Sequence, residues 1–488
     1  MRINQDRSYI WFLYPFNYRT ISYDILIDSF TQLSWEGRNK RYPVWSTNNI
    51  THLPDLGLLP GINKFLDCES KTRVFSVGSW KLSNEARTSV KSGFGGSKIK
   101  WVLEIQKIKE IPFEILAIEL FLFKTGVGFL NFQIKLLGKE ISSSDWTDFI
   151  HYFRFLGGER GKNNQIKTYL FGKECCRPFF PAFLGKGESE NTGFYFSEII
   201  TSLLQAGCES MDMDLGLKNA YINNYFIPYS YTCVEGADAA HKSDFLSRIT
   251  GFLNSSAIVY KDKQSVEYEQ KHQTLIWKDH YFISSLEGGG MVAFDPPDEP
   301  FFKFGIPDHI SKHYYLLYLI ALQQKFFLTS ISENIANDWL IAKKSENNSD
   351  DYYQILLNNF FETQESLLFF TSIGNFAQIM HSQHHHDIYI KWREILEIDR
   401  LYNEVKSEIQ NIYNFLNIKT ERINQAFNRR IELSIQGITF IFGFPALLLG
   451  FYEVANVSIS LFHLAKQMII SSLIGLTIFI IIKRKNLP

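Results

Sequence analysis

The chain is poor in cysteine. Five occur in 488 residues, at Cys68, Cys175, Cys176, Cys208 and Cys233, and no two form a CxxC pair. Adjacent Cys175 and Cys176 suit neither an ordinary disulfide nor a tetrahedral site, and the cysteines show no zinc spacing. The odd count fits a reducing cytoplasm. An excess of one charge is also missing: 50 Lys and Arg face 51 Asp and Glu, for a net charge of -1. No global field draws in a polyanion, and direct nucleic-acid binding is not expected. No signal peptide is expected, because the apolar patch Ile10–Phe16 is short and runs into Asn17 and Arg19. GxSxG, HExxH and kinase patterns are absent. The expectation is therefore that the chain is not an enzyme. Finally, proline is missing from Asp387 to Phe444, and the only glycines there are Gly437 and Gly443.

What is present lies at the C-terminal end. The mean hydropathy of the whole chain is -0.11, yet Leu433 to Tyr452 carries no charged side chain. A helix of that length spans about 30 Å, the thickness of a bilayer core. A second run, Leu464 to Ile482, holds only Lys466, near enough to its start to snorkel. Arg429-Arg430 precedes the first run and Lys483-Arg484-Lys485 follows the second. Basic clusters thus flank the hairpin on one side, which the positive-inside rule assigns to the cytoplasm together with both termini.

Within the first run, Gln436, Thr439, Gly443, Ala446, Gly450 and Glu453 recur at intervals of three and four. The interval puts small and polar residues on one helical face. In a symmetric oligomer that face lines an axis, with rings of Gln436 amides and Thr439 hydroxyls and a mouth of Glu453 carboxylates that favours cations. The competing reading is close helix packing without conduction. Pro445 removes one helical hydrogen bond and is expected to bend the helix near Gly443. Upstream, apolar residues at Ile388, Trp392, Ile395, Leu401, Val405, Ile409, Ile412 and Leu416 continue the helical spacing. One unbroken helix from about 386 to 452 is expected, roughly 100 Å long, and it needs partners along its length.

A long helix entering the first of two C-terminal spans, then a short loop, a second span and a basic end, resembles the CorA family of divalent-cation channels. In "NRRIELSIQGITFIFGFPALLLGFY" the proline and the Gly-aromatic-Tyr turn of the family's first span correspond to Pro445 and to Gly450, Phe451 and Tyr452. The family's Gly-Met-Asn signature does not follow; the chain reads Glu453-Val454-Ala455-Asn456, which departs from magnesium selectivity. The resemblance implies a homopentamer in the inner membrane of a prokaryote, passing a divalent cation. "ELFLFKTGVGFLNFQIKL" and "YYLLYLIALQQKFFL" also look similar to segments of CorA-like membrane effectors of type III CRISPR systems. That likeness implies an antiviral channel opened by a nucleotide second messenger, an S-adenosylmethionine–AMP conjugate, with no ligand-binding residue transferable. Two alternatives stay open: a constitutive or metal-regulated transporter of magnesium, cobalt or nickel, and a tethered sensor or enzyme whose hairpin is only an anchor.

The expected organisation is an α/β or α+β cytoplasmic sensor domain over 1–310 and a helical subdomain over 311–383. A stalk helix over 384–432 and a pore-lining transmembrane helix over 433–452 follow, then an outer loop over 453–463. A second transmembrane helix over 464–482 and a basic tail over 483–488 complete the chain. In the first part, 117–136 reads as two strands around Lys124-Thr125-Gly126, followed by a helix capped by Ser144. Further strands are expected in 223–235 and 273–295, the latter broken by Gly288-Gly289-Gly290. "SGFGGSK" (92–98) and "GGERGK" (157–162) are glycine-rich loops that can meet an anion but lack phosphate-loop spacing. Asp212 and Asp214 lack an EF-hand pattern. In "HSQHHHD" (381–387), His381 and His385 stand at i, i+4, the spacing at which two imidazoles on a helix share a zinc or nickel ion.

Overall fold

A computed structural model describes residues 1–18, 22–36, 41–47, 57–66, 77–89, 96–156, 164–170, 173–175, 196–205, 225–259, 262–344, 349–454 and 461–486. The loops 90–95 and 157–163, and with them most of "SGFGGSK" and all of "GGERGK", lie outside the described residues, as do Asp212 and Asp214. Two compact units divide after Val405: Met1–Val405 and Lys406–Pro488. The helices Tyr315–Lys344 and Ser349–Ile373 lie within the first unit.

The first unit is built on a sheet of 14 strands among the described residues. Its main path runs Lys173–Cys175, Asn164–Leu170, Ile99–Ile105, Lys109–Phe123, Val127–Leu136, Tyr9–Asn17, Ile227–Glu235, Gly288–Phe294, His280–Ser285 and Gln273–Trp277. Neighbours on this path pair antiparallel, except Ile227–Glu235 with Gly288–Phe294, which is parallel. The mixed, mainly antiparallel sheet sets the unit on the α+β side of the expected fold class.

Both faces of the sheet are covered, and the aromatic richness of the sequence is spent there. In Tyr9–Asn17 the side chains alternate as strand geometry requires. Phe12 packs on Phe153 of the helix Ser143–Phe153 at 4.2 Å, while Trp11 stacks on Tyr315 of the helix Tyr315–Lys344 at 4.6 Å on the other face. The helix Ser143–Phe153 starts one residue before the expected cap. Its N-cap is Ser142, which exchanges capping-box hydrogen bonds with Asp145. The expected hairpin at Lys124-Thr125-Gly126 forms between Lys109–Phe123 and Val127–Leu136, with Gly126 at φ 89°.

Gly288-Gly289-Gly290 does not break a strand. It opens one, because two neighbours press against its backbone. A Cβ on Gly290 would lie 1.9 Å from the Ser230 carbonyl oxygen, and one on Gly289 would lie 2.1 Å from the Trp392 ring. Glycine is what the parallel pairing and the Trp392 contact tolerate.

The long helix differs from expectation in its continuity. The helix Gln383–Ile395 ends, and a second, Ile398–Val454, begins after a break in which Glu397 takes φ +56°. Buried Arg393 holds the break. Its guanidinium donates to Asn375 Oδ1 at 2.9 Å and to the Phe376 carbonyl at 2.8 Å, and pairs with Asp399 beyond the break. The contacts that Arg393 collects over three segments fix this turn; helical spacing alone passes straight through it. The Ile398–Val454 helix has 57 residues, so it is roughly 85 Å long.

Candidate functional site

The helix Ile398–Val454, most of which lies in the second unit, is followed there by a return helix, Leu461–Asn486. Both contain windows long and apolar enough to cross a membrane, and only 12 % and 11 % of those windows are buried. Core helices of a soluble protein bury such stretches; these two leave Ile438, Phe442, Leu447, Phe451, Ile469 and Leu473 exposed.

The two helices meet through glycine and serine. A Cβ on Gly475 would stand 2.4 Å from the Phe440 carbonyl oxygen, and one on Gly437 would stand 2.8 Å from the Phe479 ring. Small residues thus let the backbones approach, as at helix contacts inside bilayers. Pro445 sits inside the helix. Lacking an N–H, it leaves the carbonyl four residues earlier, that of Ile441, without its helical donor. Ser472 of the return helix donates its hydroxyl to that Ile441 carbonyl at 3.3 Å. The hydrogen bond lost at Pro445 is therefore replaced from the neighbouring helix, a device that apolar surroundings demand.

The small and polar stripe lies elsewhere on the same helix. Gln436, Thr439, Ala446 and Gly450 are exposed and Gly443 is half-buried. The side chain of Glu453 lies outside the described residues. At 100° per residue, the Gln436–Gly450 stripe is centred roughly 130° from the Gly437–Phe440–Ile441 face that meets the return helix. Among the described residues, no heavy atom lies within 4 Å of a Cβ built on Gly450. The return helix therefore does not use the stripe.

In the first unit, the histidines are regrouped. His381 is exposed and precedes the N-cap Ser382, so His381 and His385 do not form the expected pair on one helix. Instead His384 and His385 meet His309, one ring nitrogen of each lying within 4.8 Å of the others. His313 stacks on His385 at 5.0 Å and on His309 at 4.5 Å. The sequence signal for the missed residues was available: His309 and His313 also stand at i, i+4 in "DHISKHYY". Burial and the adjacent imidazoles of His384, His313 and His309 push the His385 pKa down to about 3, so it is neutral at physiological pH.

An open cleft of ≈ 550 Å³ lies beside the hairpin turn, lined by Lys124, Thr125, Tyr18 and Tyr23 together with Glu362 and Glu365 of the helix Ser349–Ile373.

No protein-family model matches the chain, and no curated protein does. Among solved structures, the CorA magnesium transporter of Methanocaldococcus jannaschii is similar over 54 % of this chain and 92 % of that one. The identity is 13 % and the TM-score 0.18. So loose a superposition carries neither shape nor activity across, and the site is read from its own residues.

Proposed function

We propose that this chain is a membrane ion channel, assembled from several copies that pack around the Gln436–Gly450 face of the long helix. The observation that carries this reading is the placement of that stripe. It is small and polar, it stands exposed between the apolar flanks Ile438 and Phe442 on one side and Leu447 and Phe451 on the other, and the chain's own return helix packs elsewhere. A face of this composition in a lipid-spanning helix calls for other copies or a water-filled path.

The finer features, a pentamer in a prokaryotic inner membrane that passes divalent cations and is opened by a nucleotide messenger during antiviral defence, rest on the sequence resemblance. If a messenger is bound in the first unit, the cleft at Lys124 is the place to begin, since it joins an amine to two phenol rings. Its two carboxylates would demand that the phosphate stay on the Lys124 side.

The test is ion flux from liposomes carrying the purified chain, with magnesium, potassium and nickel compared. Gln436→Leu is expected to assemble as the parent does, yet to change flux at least about tenfold by removing the amide ring. Parent-like flux from assembled Gln436→Leu refutes the pore assignment. Activity that survives replacement of the hairpin by an unrelated anchor identifies a tethered sensor or enzyme instead.

A further inference from the structure

We propose that His309, His384 and His385 form a binding site for a divalent transition ion of the zinc, cobalt and nickel class. The site is built from two distant segments. His309 closes the helical turn Ile306–His309, which lies between two π-helical turns, Phe301–Gly305 and Ile310–Tyr314. π-type turns recur at functional sites, where they redirect a side chain. His384 and His385 belong to the first turn of Gln383–Ile395. That helix is held against Tyr315–Lys344 by Tyr318 on Trp392 at 4.2 Å and by Gln324 donating to the Tyr389 hydroxyl at 2.9 Å. The imidazoles are thus brought together by packing that does not itself involve them.

His385 is the decisive residue. It is 5 % exposed, and among the described residues neither of its ring nitrogens has a hydrogen-bond partner. Buried polar groups are nearly always paired, and each exception needs a reason. An imidazole whose nitrogens are left open beside two others is placed as a metal ligand is. The nitrogens of His309 and His384 lie within 4.8 Å of it. Tetrahedral zinc, with bonds of about 2.05 Å, needs nitrogens roughly 3.3 Å apart. The half-buried His309 and exposed His384 can close that difference by rotation about their side-chain bonds. Three imidazoles without a thiolate select zinc, cobalt or nickel over magnesium or calcium, which take oxygen ligands. His384 is exposed, so the fourth position is open to water. His313, stacked on both His309 and His385, buttresses the rings.

The experiment uses the tag-free full chain, with zinc binding measured by calorimetry and cobalt binding by its visible ligand-field absorption. One zinc per chain is expected, and a cobalt spectrum of tetrahedral intensity that zinc abolishes. His309→Ala and His384→Ala, neither at a fully buried position, should each weaken zinc binding at least about tenfold. His381→Ala should leave it unchanged. Zinc binding that is absent, that survives both His309→Ala and His384→Ala, or that depends on His381 instead, overturns the site and leaves the rings as a packing stack. Circular dichroism of each variant verifies that it folds. Because the readout is metal binding, its outcome is independent of whether the chain conducts ions.

Discussion

Ser472 and Pro445 form a pair whose energetic coupling can be calculated before it is measured. Proline at 445 withdraws the amide that would have met the Ile441 carbonyl, and the Ser472 hydroxyl takes its place at 3.3 Å. Ser472→Ala then leaves a carbonyl without a donor in an apolar setting. Hydrogen bonds between helices in membranes are worth about 0.6 kcal/mol on average and about 1.7 at most. The long 3.3 Å contact argues against the upper end, and the missing competitor, water, argues against the lower. About 1 kcal/mol is therefore expected, or roughly a fivefold change in the folding equilibrium. In a Pro445→Ala background the helix supplies its own amide to Ile441, and Ser472→Ala should then cost nearly nothing. The coupling energy of the double-mutant cycle is thus about 1 kcal/mol. The assay is denaturation of the full chain in mixed micelles, followed by loss of helix signal. Equal effects of Ser472→Ala in both backgrounds, within about 0.3 kcal/mol, would refute the repair of the proline by the return helix.

Two further predictions concern the hairpin and the sheet. Gly475→Ala must push a Cβ from 2.4 Å off the Phe440 carbonyl, separating the helices by roughly 1 Å and costing about 1–3 kcal/mol. Gly450→Ala, with nothing within 4 Å among the described residues, should cost nothing in the same micelle denaturation; equal destabilisation by the two would contradict the hairpin geometry. Buried Glu119 has its pKa pushed up from 4.5 to about 7 by burial, against the opposing pull of Lys81. Its folded state therefore holds the proton more tightly than the unfolded chain does. Stability from this group is complete below about pH 4.5 and falls as pH rises towards 7, by at most about 3 kcal/mol. Glu119→Gln should remove that decline from the pH dependence of the thermal midpoint, and an unaltered pH profile would show that Glu119 is charged in the fold.

The sequence alone determined those features that depend on local composition and period. Two charge-poor runs at the C-terminal end become two exposed apolar helices, because only length and hydropathy are needed for that. The hairpin at Lys124-Thr125-Gly126 follows from strand alternation and one glycine with positive φ. The stripe at Gln436–Gly450 follows from helical period. Tertiary structure decided the rest. Glycines 288–290 read as a break until Ser230 and Trp392 are seen pressing on them. Helical spacing runs through residues 396–397, yet Arg393 holds a turn there with groups from Asn375, Phe376 and Asp399. His385 finds a neighbour 76 residues earlier in the chain, at His309, because its helix packs through Trp392 and Tyr389 on Tyr315–Lys344, which the helical turns carrying His309 lead into. Periodicity reports what a residue presents to its own element. Which residue of a distant element it meets is set by packing, and that information is not local.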